Sequence, residues 1–331
     1  MSEILLHYTR GGRVESIHRG DIVAVDINGR VKACIGDADK LMFWRSAAKP
    51  FQILPFVQQG GVEKYSITGE ELALMVSSHS GEAQHVELVK QVLEKIGLTT
   101  DDLACGPARP MDGRASRELV KLGLKPQAVH NPCSGKHAGM LSLCRMLEFP
   151  VAGYTEPEHE VQKMMRRAVA QSAGLTSEQV GIGIDGCGVP VFYLPLRNMA
   201  LAYARLAVPE QGGWGQSEQA VASIRDAMLG YPQIVAGTGR IDTVLMQLTK
   251  GRILAKVGAE AVYCLASTTD GIGITFKIED GSHRAINPVI IGILQRLDLI
   301  TRAEYEELAA KYPPILKNHR GDVIGTIETV F

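Results

Sequence analysis

The alternation of apolar and polar positions divides the chain into two strand-rich ends and a helical middle. Near the start, short apolar runs at 4–9, 22–26 and 31–35 are separated by Gly11-Gly12 and Asn28-Gly29, pairs that are typical of turns. The pattern predicts three strands there, the last two joined as a hairpin through Asn28-Gly29. Near the other end, runs at 253–257, 263–267 and 272–278 predict three more strands.

Between and after these runs, apolar residues recur at the spacing of one helix face. This pattern predicts helices over 46–56, 82–96, 114–121, 136–147, 158–173, 194–207, 217–230, 285–297 and 302–311. We therefore expect an α+β protein with one sheet assembled from both ends of the chain. The 331 residues form a single catalytic unit, 1–331. A possible subdivision is a sheet-rich part, 1–80 plus 250–331, and a mainly helical part, 81–249.

Composition narrows the class of partner. Lys plus Arg (35) nearly equal Asp plus Glu (36), so no basic excess indicates nucleic acid and a small molecule is the expected ligand. The first seven residues lack the features of a signal peptide, and the apolar region 286–300 is too polar to span a membrane. The six cysteines show no framework spacing, which is typical of reduced thiols. A cytoplasmic location without membrane association is therefore expected.

The first candidate for catalysis is the serine–lysine pair in Arg45-Ser46-Ala-Ala-Lys49-Pro50. Residues three apart share a helix face, and Pro50 is tolerated only in a first turn. Ser46 should therefore begin a helix, where free N–H groups favour an oxyanion. Lys49 can act as a base if burial keeps it neutral. Because Ser-x-x-Lys also arises by chance, the pair alone is weak evidence.

Two further segments strengthen the interpretation. Ser77-Ser78-His79-Ser80-Gly81 places hydroxyls in a loop that ends in glycine, and Lys256-Val257-Gly258 lies in a strand-like run. Their order after Ser-x-x-Lys echoes Ser-Asp-Asn and Lys-Thr-Gly of serine β-lactamases and penicillin-binding proteins. His79, Ser80 and Val257 depart from that pattern.

A second constellation combines thiols with nitrogen donors. The stretch 130–141 contains Cys133, Lys136 and His137, and the Gly-rich stretch 181–190 contains Asp185 and Cys187. Two thiolates and a nitrogen, with water in the fourth position, would suit a zinc-like ion. His137 is the usual nitrogen ligand, whereas Lys136 would need a lowered pKa. The alternative is that both cysteines are simply small buried residues.

Taken together, these segments resemble the asparaginase II family, the Rhizobium etli-type or class 3 L-asparaginases. The resemblance rests on Arg45-Ser46-x-x-Lys49-Pro50, Ser77 to Glu82, Cys105-Gly106-Pro107, Asn131 to Leu141 and Asp185 to Pro190. It implies a fold similar to serine β-lactamases, penicillin-binding proteins and glutaminases, with an antiparallel sheet. It also implies a homodimer that hydrolyses L-asparagine to L-aspartate and ammonia.

The resemblance assigns roles to individual residues. Ser46 would be the nucleophile and Lys49 its proton acceptor, with Ser78 and Lys256 as a second couple. Zinc would lie on Cys133, Lys136 and Cys187, positioning groups rather than generating the nucleophile. The loop Cys105 to Pro110 receives no role, because Ala108 departs from the family pattern.

Substrate contacts are expected from four more residues. Arg45 is a candidate for the substrate α-carboxylate and Asp185 for its α-ammonium, with Ser80 and His137 as further candidates. Alternatively, Arg45 forms a structural salt bridge and Asp185 caps a turn. Glutamine differs from asparagine by one methylene, so a glutaminase or another serine–lysine amidohydrolase stays an alternative, as does a non-catalytic small-molecule sensor.

Overall fold

Eleven strands are formed by residues 2–331, the part of the chain that the computed structural model describes. They are β1 (Glu3–Arg10), β2 (Arg13–Asp26), β3 (Val31–Ile35), β4 (Leu41–Phe43), β5 (Gly181–Ile184), β6 (Pro190–Pro195), β7 (Ile253–Gly258), β8 (Val262–Ser267), β9 (Ile272–Ile278), β10 (Ile315–Lys317) and β11 (Val323–Thr329). The three N-terminal and three C-terminal strands expected from the apolar runs are all present.

The larger sheet joins the two ends of the chain. Its strand order is β10-β11-β1-β2-β9-β8-β7, with β3 paired to β2 beside this path, and all of these pairs are antiparallel. Strand β1 lies between β2 and β11, so the first strand is held by its neighbour in sequence and by the last. A separate three-stranded sheet has the order β4-β6-β5. The α+β class and the sheet built from both chain ends are confirmed.

The predicted hairpin between β2 and β3 is confirmed, together with its turn. Ile22 pairs with Ile35 and Ala24 with Ala33 across β2 and β3. Gly29 has a φ of 77°, a left-handed conformation that glycine adopts without steric cost. The Asp26 carboxylate accepts hydrogen bonds from the N–H groups of Asn28 and Arg30. The hydrogen bonds of this turn therefore set the register between β2 and β3.

The helices of residues 2–331 are α1 (Lys49–Gln52), α2 (Leu54–Gln58), α3 (Gly61–Lys64), α4 (Gly69–Met75), α5 (Ala83–Lys95), α6 (Gly113–Lys121), α7 (Ser134–Met146), α8 (Glu160–Ser172), α9 (Leu196–Ala207), α10 (Glu218–Gly230), α11 (Pro232–Val235), α12 (Ile241–Leu248), α13 (Ile286–Arg296) and α14 (Arg302–Lys311). The helix expected over 46–56 is instead a 3₁₀ turn, Arg45–Ala48, followed by α1 and α2. Pro50 and Pro55 each lie in the first turn of one of these short helices, because proline lacks the N–H that a longer helix would use.

Helix α9 packs closely on the larger sheet. A Cβ on Gly273 of β9 would lie 1.9 Å from the carbonyl oxygen of Ala200 in α9, so only glycine permits this approach. One buried apolar cluster includes residues of the sheet, such as Leu5 and Phe276, and of the helices, such as Met199. The subdivision into sheet-rich and helical parts stays a prediction. Among the helices of residues 2–331, none has the length and apolar character needed to cross a membrane.

Candidate active site

Ser46 follows a strained residue at the start of the 3₁₀ turn. The N–H of buried Trp44 donates to the carbonyl of Phe192 in β6. Arg45 then adopts a φ of 56°, a left-handed conformation that costs a residue with a Cβ on the order of 1–3 kcal/mol. This reversal turns Ser46 toward a cavity of about 320 Å³, which it lines. The sequence correctly placed Ser46 at the beginning of a helical turn.

Part of the predicted site lines this cavity. Its lining includes the predicted residues Arg45, Ser46, Ser78, Cys133, Asp185 and Cys187. Three predicted lysines, Lys49, Lys136 and Lys256, are buried behind this wall.

Two predicted substrate contacts are not brought to the cavity. Ser80 is buried and its Oγ donates to the carbonyl of Ala236 at 2.8 Å. His137 is buried with its Nδ1 2.7 Å from the Tyr154 hydroxyl. Both side chains are buried away from the cavity lining and make internal hydrogen bonds instead.

Ser78 lies between two buried lysines, Lys49 and Lys256. Its Oγ lies 3.1 Å from Lys49 Nζ and 2.7 Å from Lys256 Nζ. Lys49 Nζ also donates to the carbonyls of Ser77 and Pro132. A neutral amine has two N–H bonds and one lone pair, so these two carbonyls satisfy both N–H bonds of a neutral Lys49. Its lone pair is then free for the Ser78 hydroxyl proton.

The surroundings of both lysines favour their neutral forms. Burial lowers the pKa of Lys256 to about 7, and the positive charge of Lys49 adds to the effect, while Asp242 opposes it. Burial also lowers the pKa of Lys49, against the opposing influence of Cys133. Two amines bridged by one hydroxyl repel each other when both are charged. The pair can therefore hold and exchange a proton near neutral pH.

Lys49 contacts Ser78 rather than Ser46. Its three hydrogen-bond partners are Ser77, Ser78 and Pro132. The break between the 3₁₀ turn and α1 changes the angular offset that a continuous α-helix would give residues 46 and 49. Hydrogen bonds to a catalytic base commonly tighten only when substrate is bound, so direct proton transfer from Ser46 to Lys49 stays a prediction.

Arg45 and Asp185 form an ion pair with each other. Arg45 Nε and one terminal nitrogen donate to Asp185 Oδ1 at 3.0 and 2.9 Å. The positive charges of Lys136 and Arg45 outweigh the effect of burial and lower the pKa of Asp185. The salt-bridge alternative for Arg45 is therefore the one that the structure shows. A substrate must compete with this pair to use either residue.

The two thiols and the Lys136 amine are close together, as the resemblance implies. Lys136 Nζ is 3.2 Å from Cys187 Sγ. A hydrogen bond from Cys187, with the charges of Lys49 and Lys136, holds the pKa of Cys133 well below its usual value. A thiolate, a second thiol and an amine match the donors that zinc prefers. Residues 2–331 hold no group of three His, Cys, Asp or Glu side chains suited to a metal, so an ion held by the two thiols would need the amine as its third donor.

The sequence interpretation missed four residues of the cavity wall: Met111, Arg240, Ala259 and His283. Arg240 follows the loop Gly237-Thr238-Gly239 and immediately precedes helix α12. The Gly-x-Gly loop before a helix was the available indication that this segment approaches other groups closely.

Comparison with known proteins identifies the family. The family described as L-asparaginase II matches residues 6–329, nearly the whole chain. The chain belongs to the L-asparaginase II family. This membership makes it an amidohydrolase with a small-molecule substrate. A comparison with curated proteins gives no match.

Solved structures with likeness to this L-asparaginase II family member are distant in sequence. A β-lactamase from Mycobacterium bovis is 13% identical, with 88% of this chain and 94% of that chain covered and a TM-score of 0.41. Mglu, solved in its glutamate form, is 16% identical with a TM-score of 0.38. The match covers 85% of this chain and 61% of Mglu.

Proposed function

We propose that the chain is an L-asparaginase that works through an acyl-enzyme on Ser46. The observation that carries the proposal is Ser78 held between two buried lysines, in the wall of a cavity that Ser46 also lines. Family membership supplies the substrate class. The hydroxyls and amines of this cluster are the groups that nucleophilic attack on an amide requires.

In the first half-reaction, Ser46 Oγ attacks the side-chain amide carbon of L-asparagine. Neutral Lys49 accepts the Ser46 proton, and backbone N–H groups at the start of the 3₁₀ turn stabilise the oxyanion. The proton passes through Ser78 and Lys256 to the leaving nitrogen. The C–N bond breaks, ammonia departs, and an aspartyl ester remains on Ser46.

In the second half-reaction, water hydrolyses the aspartyl ester. The same lysines accept the proton of the attacking water, which forms the new C–O bond as the Ser46–acyl bond breaks. Ser46 recovers a proton and L-aspartate leaves. One proton relay therefore serves both halves, as microscopic reversibility of general acid–base catalysis requires.

A zinc ion would be held by Cys133, Lys136 and Cys187. When bound, such an ion supplies positive charge that orients neighbouring groups. The charges of the Cys133 thiolate and of Asp185 outweigh the effect of burial and raise the pKa of Lys136, so binding the metal must displace a proton from this amine. A homodimer in the cytosol, as the resemblance and composition imply, completes the proposal.

The test of function is an assay of ammonia release from L-asparagine and L-glutamine, with β-lactam hydrolysis measured in parallel. We expect turnover of L-asparagine to exceed that of L-glutamine. A preference for L-glutamine would make the chain a glutaminase, and hydrolysis of β-lactams alone would indicate a β-lactamase. Binding of amino acids without any turnover would support the sensor alternative.

The activity should depend on pH through Lys256. Since burial and Lys49 lower the pKa of Lys256 to about 7, the neutral, proton-accepting form increases as pH rises through that value. We expect kcat/KM for L-asparagine to increase with pH and to reach half its maximum near pH 7. A profile measured from pH 5 to 9 that stays flat would contradict the role of Lys256 as a base.

Removal of metal should weaken turnover without abolishing it. Because Ser46 is the proposed nucleophile, chelation with metal loss confirmed by elemental analysis should leave measurable ammonia release. Cys187→Ser should lower the zinc content of the purified protein, since it removes one of two thiol donors. Complete loss of activity that only added metal restores would favour attack by a metal-activated water.

A further inference from the structure

Among the residues that the structure describes, Arg240 in the cavity wall has no acidic partner. It lines the same cavity as Ser46 and Ser78 and is half-buried. Within residues 2–331, no Asp or Glu forms an ion pair with it, and its Nη1 donates to Met111 Sδ at 3.6 Å. The other arginine of the wall, Arg45, already binds Asp185. Of the two guanidinium groups in the cavity wall, that of Arg45 is therefore paired with a carboxylate, and that of Arg240 can bind a carboxylate of the substrate.

The loop before Arg240 is fixed by the segment that carries Ser78. Glu82 accepts hydrogen bonds from both the N–H and the hydroxyl of Thr238, at 2.7 and 2.8 Å. Ser80 Oγ donates to the carbonyl of Ala236. A Cβ on Gly237, whose φ is 133°, would lie 2.2 Å from Ser80 Oγ, so the two segments fit only with glycine there. Ser80 and Glu82 therefore hold the chain that presents Arg240.

The nearest carboxylate along the chain is directed elsewhere. Asp242 is buried, and its Oδ1 accepts the N–H of Val257 in β7 at 2.7 Å. This contact ties the start of α12 to the strand that carries Lys256. The backbone around Arg240 is thus anchored on both sides while its guanidinium faces the cavity.

We infer that Arg240 binds the α-carboxylate of the amino-acid substrate and so selects free asparagine over asparagine within a peptide. This inference rests on the proposed function and names the specificity residue of that site. A guanidinium presents paired N–H donors that match the two oxygens of a carboxylate. An asparagine inside a peptide has a neutral amide at that position and leaves the half-buried charge of Arg240 without a partner.

The test compares Arg240→Gln with the wild type on L-asparagine and on its α-methyl ester, which lacks the carboxylate charge. Losing a charge-assisted hydrogen bond should raise KM for L-asparagine by roughly 10- to 100-fold, with a smaller effect on kcat. KM for the ester should change little, so Arg240→Gln should lose the preference for the free acid over the ester. Arg240→Lys retains the positive charge but not the paired N–H donors of a guanidinium. It should therefore recover part of the preference for the free acid.

Arg45→Gln is the matched comparison, because it removes the other arginine of the same wall. Arg45→Gln should still prefer L-asparagine over the ester, since the Arg45 guanidinium is paired with Asp185 in the wild type. If the preference collapses in Arg45→Gln and persists in Arg240→Gln, the carboxylate is bound by Arg45 and the inference fails.

Binding of L-aspartate, measured by calorimetry, separates this inference from the proposed function because it requires no turnover. Wild-type protein should bind L-aspartate at least roughly 10-fold more tightly than Arg240→Gln. Equal affinities, or no binding to either protein, would overturn the role of Arg240. Absence of ammonia release from wild-type protein would instead overturn the proposed function.

Discussion

Ser46→Ala should lower ammonia release from L-asparagine by roughly 10⁴-fold or more, the usual effect of removing a nucleophile. Without Ser46 Oγ no acyl bond can form, and the lysines around Ser78 have no proton to accept. Alanine keeps the Cβ, so the substitution leaves the Arg45 backbone and the cavity wall in place. Single-turnover assays with L-asparagine and a thermal unfolding curve measure the two effects.

The control is Ser172→Ala, which deletes a buried hydroxyl in helix α8 whose partner is the Val169 carbonyl. Its turnover should stay close to wild type. Near-normal activity in Ser46→Ala would remove Ser46 from the mechanism and leave Ser78 as the candidate nucleophile. Mass spectrometry of acid-quenched wild-type enzyme should locate the aspartyl adduct on the peptide that contains Ser46.

Lys256→Met should abolish most turnover and yet stabilise the fold at neutral pH. Loss of a positioned base typically costs about 10²- to 10⁴-fold in rate. Methionine fills the buried space of the lysine chain without an amine to desolvate. Activity and stability should therefore change in opposite directions, as they do where a strained or costly group serves catalysis.

The size of this stabilisation should depend on pH. The unfolded lysine holds its proton up to its ordinary pKa of 10.5, whereas the folded one loses it near pH 7. Between these values the unfolded state binds more protons, so wild-type stability rises with pH. The advantage of Lys256→Met should shrink by on the order of 3 kcal/mol between pH 7 and pH 10.

Chemical denaturation curves recorded across this pH range measure the difference. Lys90→Met, at an exposed position of helix α5, should run parallel to wild type. A constant offset between Lys256→Met and wild type from pH 7 to 10 would mean that the buried amine is not the source of the pH dependence.

Six of the strands and most of the longer helices could be predicted, because their apolar periodicity reflects burial. Two of the missed strands lack this periodicity. Strands β10 and β11 are partly or fully exposed along their length, so they show no buried face. The helix expected from residue 194 begins at Leu196, because β6 extends to Pro195. Proline is tolerated at both ends of β6, where its missing N–H is not needed.

The candidate site could be predicted only where several reactive side chains lie close together in the sequence. Ser46, Lys49 and the cysteine–lysine segment stand out as local patterns, but the Ser78–Lys256 contact joins residues 178 apart and rested on the resemblance. The pairing of Arg45 with Asp185 spans 140 residues and follows from how β4 and β5 flank β6. Arg240 has no distinctive neighbour except glycines, so only the folded cavity reveals it.

The sheet that joins the two chain ends has a consequence for synthesis. Ser46 and Ser78 are translated long before Lys256, and β1 gains its second neighbour only when β11 at Val323–Thr329 emerges. Contacts of such long sequence separation form late and slow the folding of a domain. A growing chain on the ribosome therefore carries an exposed serine without its proton relay. Hydrolytic competence should therefore arise only after β7 and β11 have been synthesised.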